Sequence, residues 1–338
     1  FAIKGAILNF LPQGTSDVNT TEYWRVGQSK SITWNSHPAD QGTVTVVYST
    51  DGGLNFTEPA NVIGTPNSAA NSQSWSIPAG AVSEQVRLRV YRQADSSTKG
   101  ESANNLKVYN LTFTYPAAQD LKVGANYTFN WAKSGLFATP SSEFRIMGSK
   151  DGGAYAEVTN PALRPTGTSW QWVNIPTSWR SNDVKFQLEW MGDTTDFQIP
   201  AAPASVTIKP TVDLTAPDGN TTEGAGTTIP ITFTHTGTTG DFWKILYSTN
   251  GGDAGGLPTP YPDPANVITT VTSVAPSAPY TYNWTIPSLA SMLSATVRVK
   301  VQLVGDEANV KDESANNFAI KGAILSFLPQ GNSDVALT

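Results

Sequence analysis

The 338-residue chain holds two histidines, His37 and His235, and no cysteine. Histidine is the usual proton carrier and metal ligand near neutral pH, and thiolate nucleophiles and thiolate metal sites need cysteine. The sequence contains no HExxH, no GxSxG and no Gly-Lys-Ser phosphate loop, so metal-hydrolase, serine-hydrolase and nucleotide chemistry lack their parts. Both histidines read as solvated groups in loops or at strand ends. Asp and Glu number 27, but no spacing marks two of them as a glycosidase pair. Asp306, Glu307, Asp312 and Glu313 cluster before the last strand, where a junction calcium would sit, yet they form no Asp-x-Asp-x-Asp ligand ladder. Solvated acids and no cofactor are expected there, and the chain reads as no enzyme.

Recognition chemistry remains. Against 27 acids stand 21 Lys and Arg, a net charge of -6 without a basic cluster, which excludes nucleic acid as an expected partner. No apolar run reaches the roughly 18 to 20 residues of a membrane span. Aromatic side chains offer better contact surfaces. In Ser169-Trp170-Gln171-Trp172-Val173-Asn174-Ile175, alternation that puts Val173 and Ile175 in the core turns Trp170 and Trp172 outward. With Trp179 they form a candidate contact surface for a neighbouring chain or a sugar ring. The alternative is a shifted register that uses one Trp in the core, as Trp34, Trp75, Trp131 and Trp284 are expected to be used. Asn-X-Thr triplets begin at Asn19, Asn55, Asn110, Asn126, Asn220 and Asn283, the candidate glycosylation sites.

The elements that position these residues are strands. Gly (28), Pro (23) and many Ser, Thr and Asn residues cut the chain into short runs, and no amphipathic helical stretch survives between them. The 18 residues from Phe1 to Val18, FAIKGAILNFLPQGTSDV, return at Phe318 to Val335 with changes only at Asn9/Ser326 and Thr15/Asn332, an offset of 317 residues (318 minus 1). Near-identity over solvent-facing positions implies duplication of a long unit. A weaker repeat of about 100 residues appears three times inside it. Ile32-Thr33-Trp34, Phe129-Asn130-Trp131 and Ile231-Thr232-Phe233 open the copies. Hairpin turns at Asp51-Gly52, Asp151-Gly152 and Asn250-Gly251 follow, since these pairs suit tight turns. Strands ending in Ile77-Pro78, Ile175-Pro176 and Ile286-Pro287 come next. Val86-Arg87-Leu88-Arg89-Val90, Val184-Lys185-Phe186-Gln187-Leu188 and Val297-Arg298-Val299-Lys300-Val301 then alternate as strands with one buried and one wet face.

The expected architecture is all-β: three tandem immunoglobulin-like β-sandwich domains in an extended rod, at 6–108, 109–208 and 209–320. Residues 1–5 are expected to be the last strand of a preceding domain and 321–338 the first strand of a following one.

Val26-Gly27, Ile32-Thr33-Trp34, Tyr48-Ser49-Thr50-Asp51-Gly52-Gly53, Trp75-Ser76-Ile77-Pro78, Val86 to Val90 and Ser102-Ala103-Asn104-Asn105 together resemble the tandem immunoglobulin-like repeats of large bacterial surface proteins. A similar module opens the Ser/Thr-rich anchored cell-wall glycoproteins of fungi. The resemblance implies a fold and an extracellular or cell-surface place, not an activity. Ser49 to Phe56 also fits the Asp-box of sialidase propellers, but its recurrence at about 100 residues exceeds a propeller blade, so it reads as a folded turn. The expected function is a structural repeat segment of a very large surface protein forming a fibre, sheath or layer. Neighbouring repeats, lateral copies of itself and glycans are its candidate partners. An adhesin stalk or a carbohydrate-binding module of a secreted protein is the alternative.

Overall fold

The computed structural model of the chain describes residues 5–11, 17, 22–37, 42–116, 120–135, 137, 143–200, 202–256, 258–272 and 274–322. Of the flanking strands expected at 1–5 and 321–338, residues 1–4 and 323–338 lie outside them, as does Asn19, and Lys321 ends a strand of the last sandwich.

The first sandwich is built from β1 (Ala6–Leu11), β2 (Tyr23–Arg25), β3 (Ser29–His37), β4 (Val44–Ser49), β5 (Val62–Gly64), β6 (Ser72–Ser76), β7 (Ser83–Arg92), β8 (Asp95–Glu101) and β9 (Leu106–Thr114). The middle strands are β10 (Leu121–Lys122), β11 (Tyr127–Ser134), β12 (Phe144–Lys150), β13 (Ala156–Glu157), β14 (Ser169–Trp172), β15 (Ser181–Trp190), β16 (Asp193–Ile199) and β17 (Val206–Lys209). The last sandwich comprises β18 (Val212–Ala216), β19 (Thr222–Gly224), β20 (Thr228–His235), β21 (Trp243–Ser248), β22 (Val267–Val271), β23 (Tyr280–Thr285), β24 (Ser294–Leu303), β25 (Lys311–Glu313) and β26 (Phe318–Lys321).

The chain divides into two compact units, residues 1–118, 127–172 and 183–205 in the first and 119–126, 173–182 and 206–338 in the second. In the first unit the sheet β1-β3-β6 lies against β9-β7-β4-β5, with β2 on β9 and β8 on β7. Alternate apolar residues from the two faces close on one core around Trp24, Trp34, Trp75, Val86, Leu88 and Val108. Two antiparallel sheets with the first, third and sixth strands on one and the fourth, seventh and ninth on the other make an immunoglobulin-like sandwich. In the second unit, β18-β20-β23 and β19-β26-β24-β21-β22 repeat the plan around Phe233, Trp243, Trp284, Val297 and Val299. Trp131 is likewise buried on β11.

One strand closes the first sandwich and opens the next. Leu106 and Val108 of β9 pair with Val86 and Ser83 of β7, whereas Asn110 to Thr114 pair with Ser134 to Asn130 of β11. The boundary expected between 108 and 109 therefore falls inside a strand.

The expected wet face is half-buried in β7, where Arg87 and Arg89 are partly covered, and it is lost further along the other two strands. In β15, Gln187 and Glu189 are buried, as are Lys300 and Gln302 in β24. Other groups cover them: Arg145 Nε donates to Glu189 at 2.7 Å, Gln187 Nε2 to the Pro200 carbonyl at 3.1 Å, and Lys300 Nζ stands 3.9 Å from the Tyr261 ring centre. A polar side chain is tolerated at such a depth because it keeps its partners.

Candidate functional site: the turns and junctions of the sandwiches

The turn motifs do not make two-residue hairpins. Asp51 and Gly52 open a loop from 50 to 61 between β4 and β5, Asn250 and Gly251 one from 249 to 266 between β21 and β22, and Asp151 and Gly152 one from 151 to 155 between β12 and β13. Each turn is tied to the adjacent long strand instead. Gly52 N–H donates to the Gln85 carbonyl at 2.8 Å, Asp151 N–H to Asp183 at 2.8 Å and Gly251 N–H to Thr296 at 2.6 Å. Gly52, Gly152 and Gly251 have φ of +77°, +72° and +89°, backbone that a side chain would strain.

Buried Ser49 donates to Asp51 Oδ1 at 2.5 Å and accepts from Gly53 N–H at 3.0 Å, while Asp51 accepts from Asn55 N–H at 2.9 Å. Ser248 repeats the contact on Asn250 Oδ1 at 2.5 Å. The bonds from Ser49 and Asn55 favour the Asp51 carboxylate and lower its pKa to about 2. A depressed carboxyl adds stability above its ordinary pKa of 3.8 and loses it as pH falls through the folded value. The loop at 50–61 should therefore loosen between about pH 4 and pH 2. The Asn55 amide resonance should report this, and Asp51→Ala should abolish the titration; a chemical shift that stays flat across that window in the unchanged chain contradicts the turn chemistry.

The Ser-Ala-Asn-Asn segments have a matching role. Ser102 and Ser314, both buried, accept from Leu88 and Val299 N–H at 3.1 and 3.0 Å. Asn105 and Asn317 accept from Arg87 and Arg298 Nε at 2.7 and 2.8 Å. Arg87 and Arg298 are thus held by hydrogen bonds on the sheet face rather than freely solvated.

Parallel pairing aligns one position on each of the three closing strands: Tyr109 stands opposite Arg25, Lys209 opposite Lys122 and Lys321 opposite Gly224. Residues just before them, Val108, Ile208 and Ile320, are all core. The next position is where each sandwich hands the chain on, and it differs in chemistry.

At the first such place, within the first unit, Tyr109 is fully buried in an aromatic cluster. Its ring lies 5.8 Å from Tyr23, 4.9 Å from Phe137 and 5.7 Å from Trp190, and Trp190 meets Tyr23 edge-on at 5.0 Å. Edge-to-face and offset pairs of this kind are worth about 0.5–1.5 kcal/mol each beyond burial. Tyr109 Oη donates to Glu84 Oε1 at 3.0 Å, and burial, then Glu84, push the phenol pKa up. Gly135 makes room for Tyr109, since a Cβ there would collide with its ring.

At the second place, within the second unit, charges do the work. Lys209 Nζ bridges Asp120 at 2.7 Å and Asp306 at 3.0 Å, and Asp120, then Asp306, raise its pKa. Arg180 grips Asp241 through two parallel bonds of 2.7 and 2.8 Å. A planar fork on a carboxylate is the strongest common ion-pair geometry, but Arg180 is 24% exposed and water screens part of it. Arg180→Ala should cost about 1–2 kcal/mol by urea denaturation, less in molar salt. A cost that does not change with salt contradicts the ionic character of this contact.

The tryptophan surface is corrected. Trp172 is 6% exposed and belongs to the core, and Val173, placed inside by alternation, is 60% exposed. Between Trp172 and Ile175 lies one residue more than between Trp75 and Ile77. Asn174 absorbs it with a left-handed φ of 53°, its N–H donating to Asn126 Oδ1 at 2.8 Å. The shifted register is the one adopted. Trp170 is half-buried and stacks on Phe129 at 6.0 Å, and Trp179 is half-buried in the turn Thr177–Trp179.

His235 is corrected too. It is buried at the end of β20, its Nδ1 accepts from Gly237 N–H at 3.0 Å, and burial lowers its pKa. His37 is exposed at the end of β3.

The clustered acids are engaged separately. Asp306 takes Lys209 and Asn309, Glu307 accepts from Gly305 N–H, Asp312 from Leu214 N–H, and Glu313 from Tyr261, Asp253 N–H and Arg298. Among the described residues no three such side chains converge as metal ligands. Asn55, Asn126, Asn220 and Asn283 are exposed and Asn110 is half-buried on β9; the Asn55 side chain also donates to Asp51 at 2.7 Å.

No family model matches the sequence, and no curated protein matches it. Among solved structures the chain is similar to three N-terminal domains of the bacteriophage RB49 Highly Immunogenic Outer Capsid protein, at 11% identity and a TM-score of 0.27, over 89% of this chain and 96% of that one. It is also similar to fibronectin(III)-like modules of Clostridium thermocellum CbhA, at 16% identity, a TM-score of 0.21, and 64% and 97% coverage. A Dscam structure is similar at 9% identity, with a TM-score of 0.28 and 96% and 74% coverage. No helix among the described residues is long and apolar enough to cross a membrane.

Proposed function

We propose that the chain is a structural repeat segment of a long extracellular or cell-surface protein, and that its task is to join successive sandwiches firmly. The observation that carries this reading is β9, one strand hydrogen-bonded into two successive sandwiches beside the Tyr23, Tyr109, Phe137 and Trp190 cluster. A domain that bound a ligand independently would need no such continuity with its neighbour. The 317-residue recurrence of Phe1 to Val18 at Phe318 to Val335 supports a tandem array of the same unit. The described polar clusters support scaffolding over catalysis, because Ser49, Ser102, Asp51, Arg180 and Lys209 all serve backbone turns or pairs within the fold. Immunolabelling of intact source cells with antibody raised against this segment should decorate the surface densely. Labelling only after permeabilisation would refute the proposed place and task.

A further inference from the structure

An edge strand exposes main-chain donors and acceptors, and folded proteins guard such edges by shortness, irregular register, proline or charge. Among the described residues β1, β5, β8, β16, β18 and β22 each shift register against a neighbour. The edge strands β2, β10, β13, β14, β19 and β25 hold four residues or fewer. That leaves β6 and β23, each in unbroken register with the strand beside it. β6 guards itself, because Gln73 Nε2 donates to the Ser74 carbonyl at 2.9 Å. In β23, Tyr282 takes the place of Gln73, two residues before the buried tryptophan, and caps no carbonyl among the described residues. The strand reads YTYNWT, without charge or proline.

The register tells which of its main-chain groups face outward. Just past the strand, Ile286 N–H donates to the Thr227 carbonyl at 2.9 Å, so alternation turns the bonds of Trp284, Tyr282 and Tyr280 towards β20. Pro230, which has no N–H, stands opposite Asn283 and fits only a position where no bond is asked of it. The N–H and C=O groups of Thr281, Asn283 and Thr285 therefore point away from the sheet. Their exposed side chains do not occupy them, for the Thr281 and Thr285 hydroxyls pair with those of Thr232 and Thr228 at 2.9 Å.

Charge selects the occupant. With a net charge of -6 two copies of the chain repel unless they meet along an uncharged strip. The outer face beside β23 is such a strip, carrying Thr228, Pro230, Thr232 and Thr234 of β20. We infer that β23 pairs antiparallel with β23 of a second copy, about a two-fold axis between their Asn283 residues. Asn283 then faces Asn283, Thr281 faces the second copy's Thr285, and each outward N–H meets an outward carbonyl. Half-buried Tyr282 comes opposite the second copy's Trp284. The same patch serves both copies, so the contact closes as a dimer. This lateral contact goes beyond the repeat reading above and does not depend on it.

The chain lacks cysteine, so one substitution supplies the only thiol. In the pairing inferred, two Asn283→Cys copies face each other at about 5.5 Å between Cα atoms, within disulfide reach. Two Thr281→Cys copies lie four residues apart, about 13 Å, beyond it. A glycan on Asn283 would fill the same edge, so the chain is produced without N-glycosylation. On mild oxidation of the folded protein, Asn283→Cys should give about tenfold more linked dimer than Thr281→Cys. Adding Thr281→Asp and Thr285→Asp sets acids opposite acids across the pair and should lower the Asn283→Cys yield about tenfold. Mixing those copies with Asn283→Cys copies carrying Thr281→Lys and Thr285→Lys should restore hetero-linked dimer. Equal yields from the two thiol positions, a yield indifferent to the acids, or no recovery on mixing would overturn the pairing. Surface labelling of source cells is independent of this outcome, so either proposal can fail while the other stands.

Discussion

Trp190→Ala should destabilise the first unit by about 3–5 kcal/mol, the cost of emptying a large aromatic site in a closed core. Trp190 is fully buried at the end of β15, opposite Phe144, with Tyr23, Tyr109 and Phe137 around it. Arg92 and Leu303 occupy the matching positions of the other sandwiches, opposite Val44 and Trp243. The large ring is thus particular to the place where β9 passes from one sandwich into the next. Gly192 makes room for the indole, since a Cβ there would collide with it. Chemical denaturation followed by tryptophan emission and far-ultraviolet dichroism would measure the change. A loss under about 1 kcal/mol would mean that the cluster is surface decoration.

Trp172→Ala should likewise cost about 3–5 kcal/mol, while Trp170→Ala should cost about 1 kcal/mol or less. The two residues alternate on β14, yet their surroundings differ. Trp172 is buried against Phe129 at 6.3 Å and meets Phe186 edge-on at 5.9 Å, whereas Trp170 is half-buried and stacks only its inner face. Equal losses from the two variants would contradict the register, and a folded double variant of near-native stability would restore the outward pair that simple alternation gives.

The contrast shows which physical signals survive in a sequence. Trp34, Trp75, Trp131 and Trp284 are legible because local alternation of period two runs unbroken through them, and all four are buried. Period-two counting fails at Trp172 because a single left-handed residue, Asn174, inserts one position, and nothing in the Trp-Val-Asn-Ile run announces it. His235 has polar neighbours in sequence, Thr234 and Thr236, and reads as solvated; its burial comes from distant Trp243, whose ring lies 4.7 Å away. Lys300 and Glu189 follow the same rule, for Tyr261 in the loop from 249 to 266 and Arg145 on β12 cover them. The turn residues are legible in kind, since Asp-Gly and Asn-Gly do mark turns. Their loop lengths are not, because each turn is fixed by a bond to a strand far along the chain. The junctions are the least legible part. Tyr109, Lys209 and Lys321 share a register position that only the parallel pairing of the closing strands reveals.

A shared strand and its aromatic cluster make the first sandwich and the strands it packs against one cooperative body. Native-state hydrogen exchange under increasing denaturant tests it most directly, read at Val86, Leu88 and Val90 of β7 and at Val184, Phe186 and Leu188 of β15, all buried. The two sets of amides should merge into a single opening isotherm of common free energy and slope, and Trp190→Ala should split them. Two separate isotherms in the unchanged chain, each with its own slope, would contradict it.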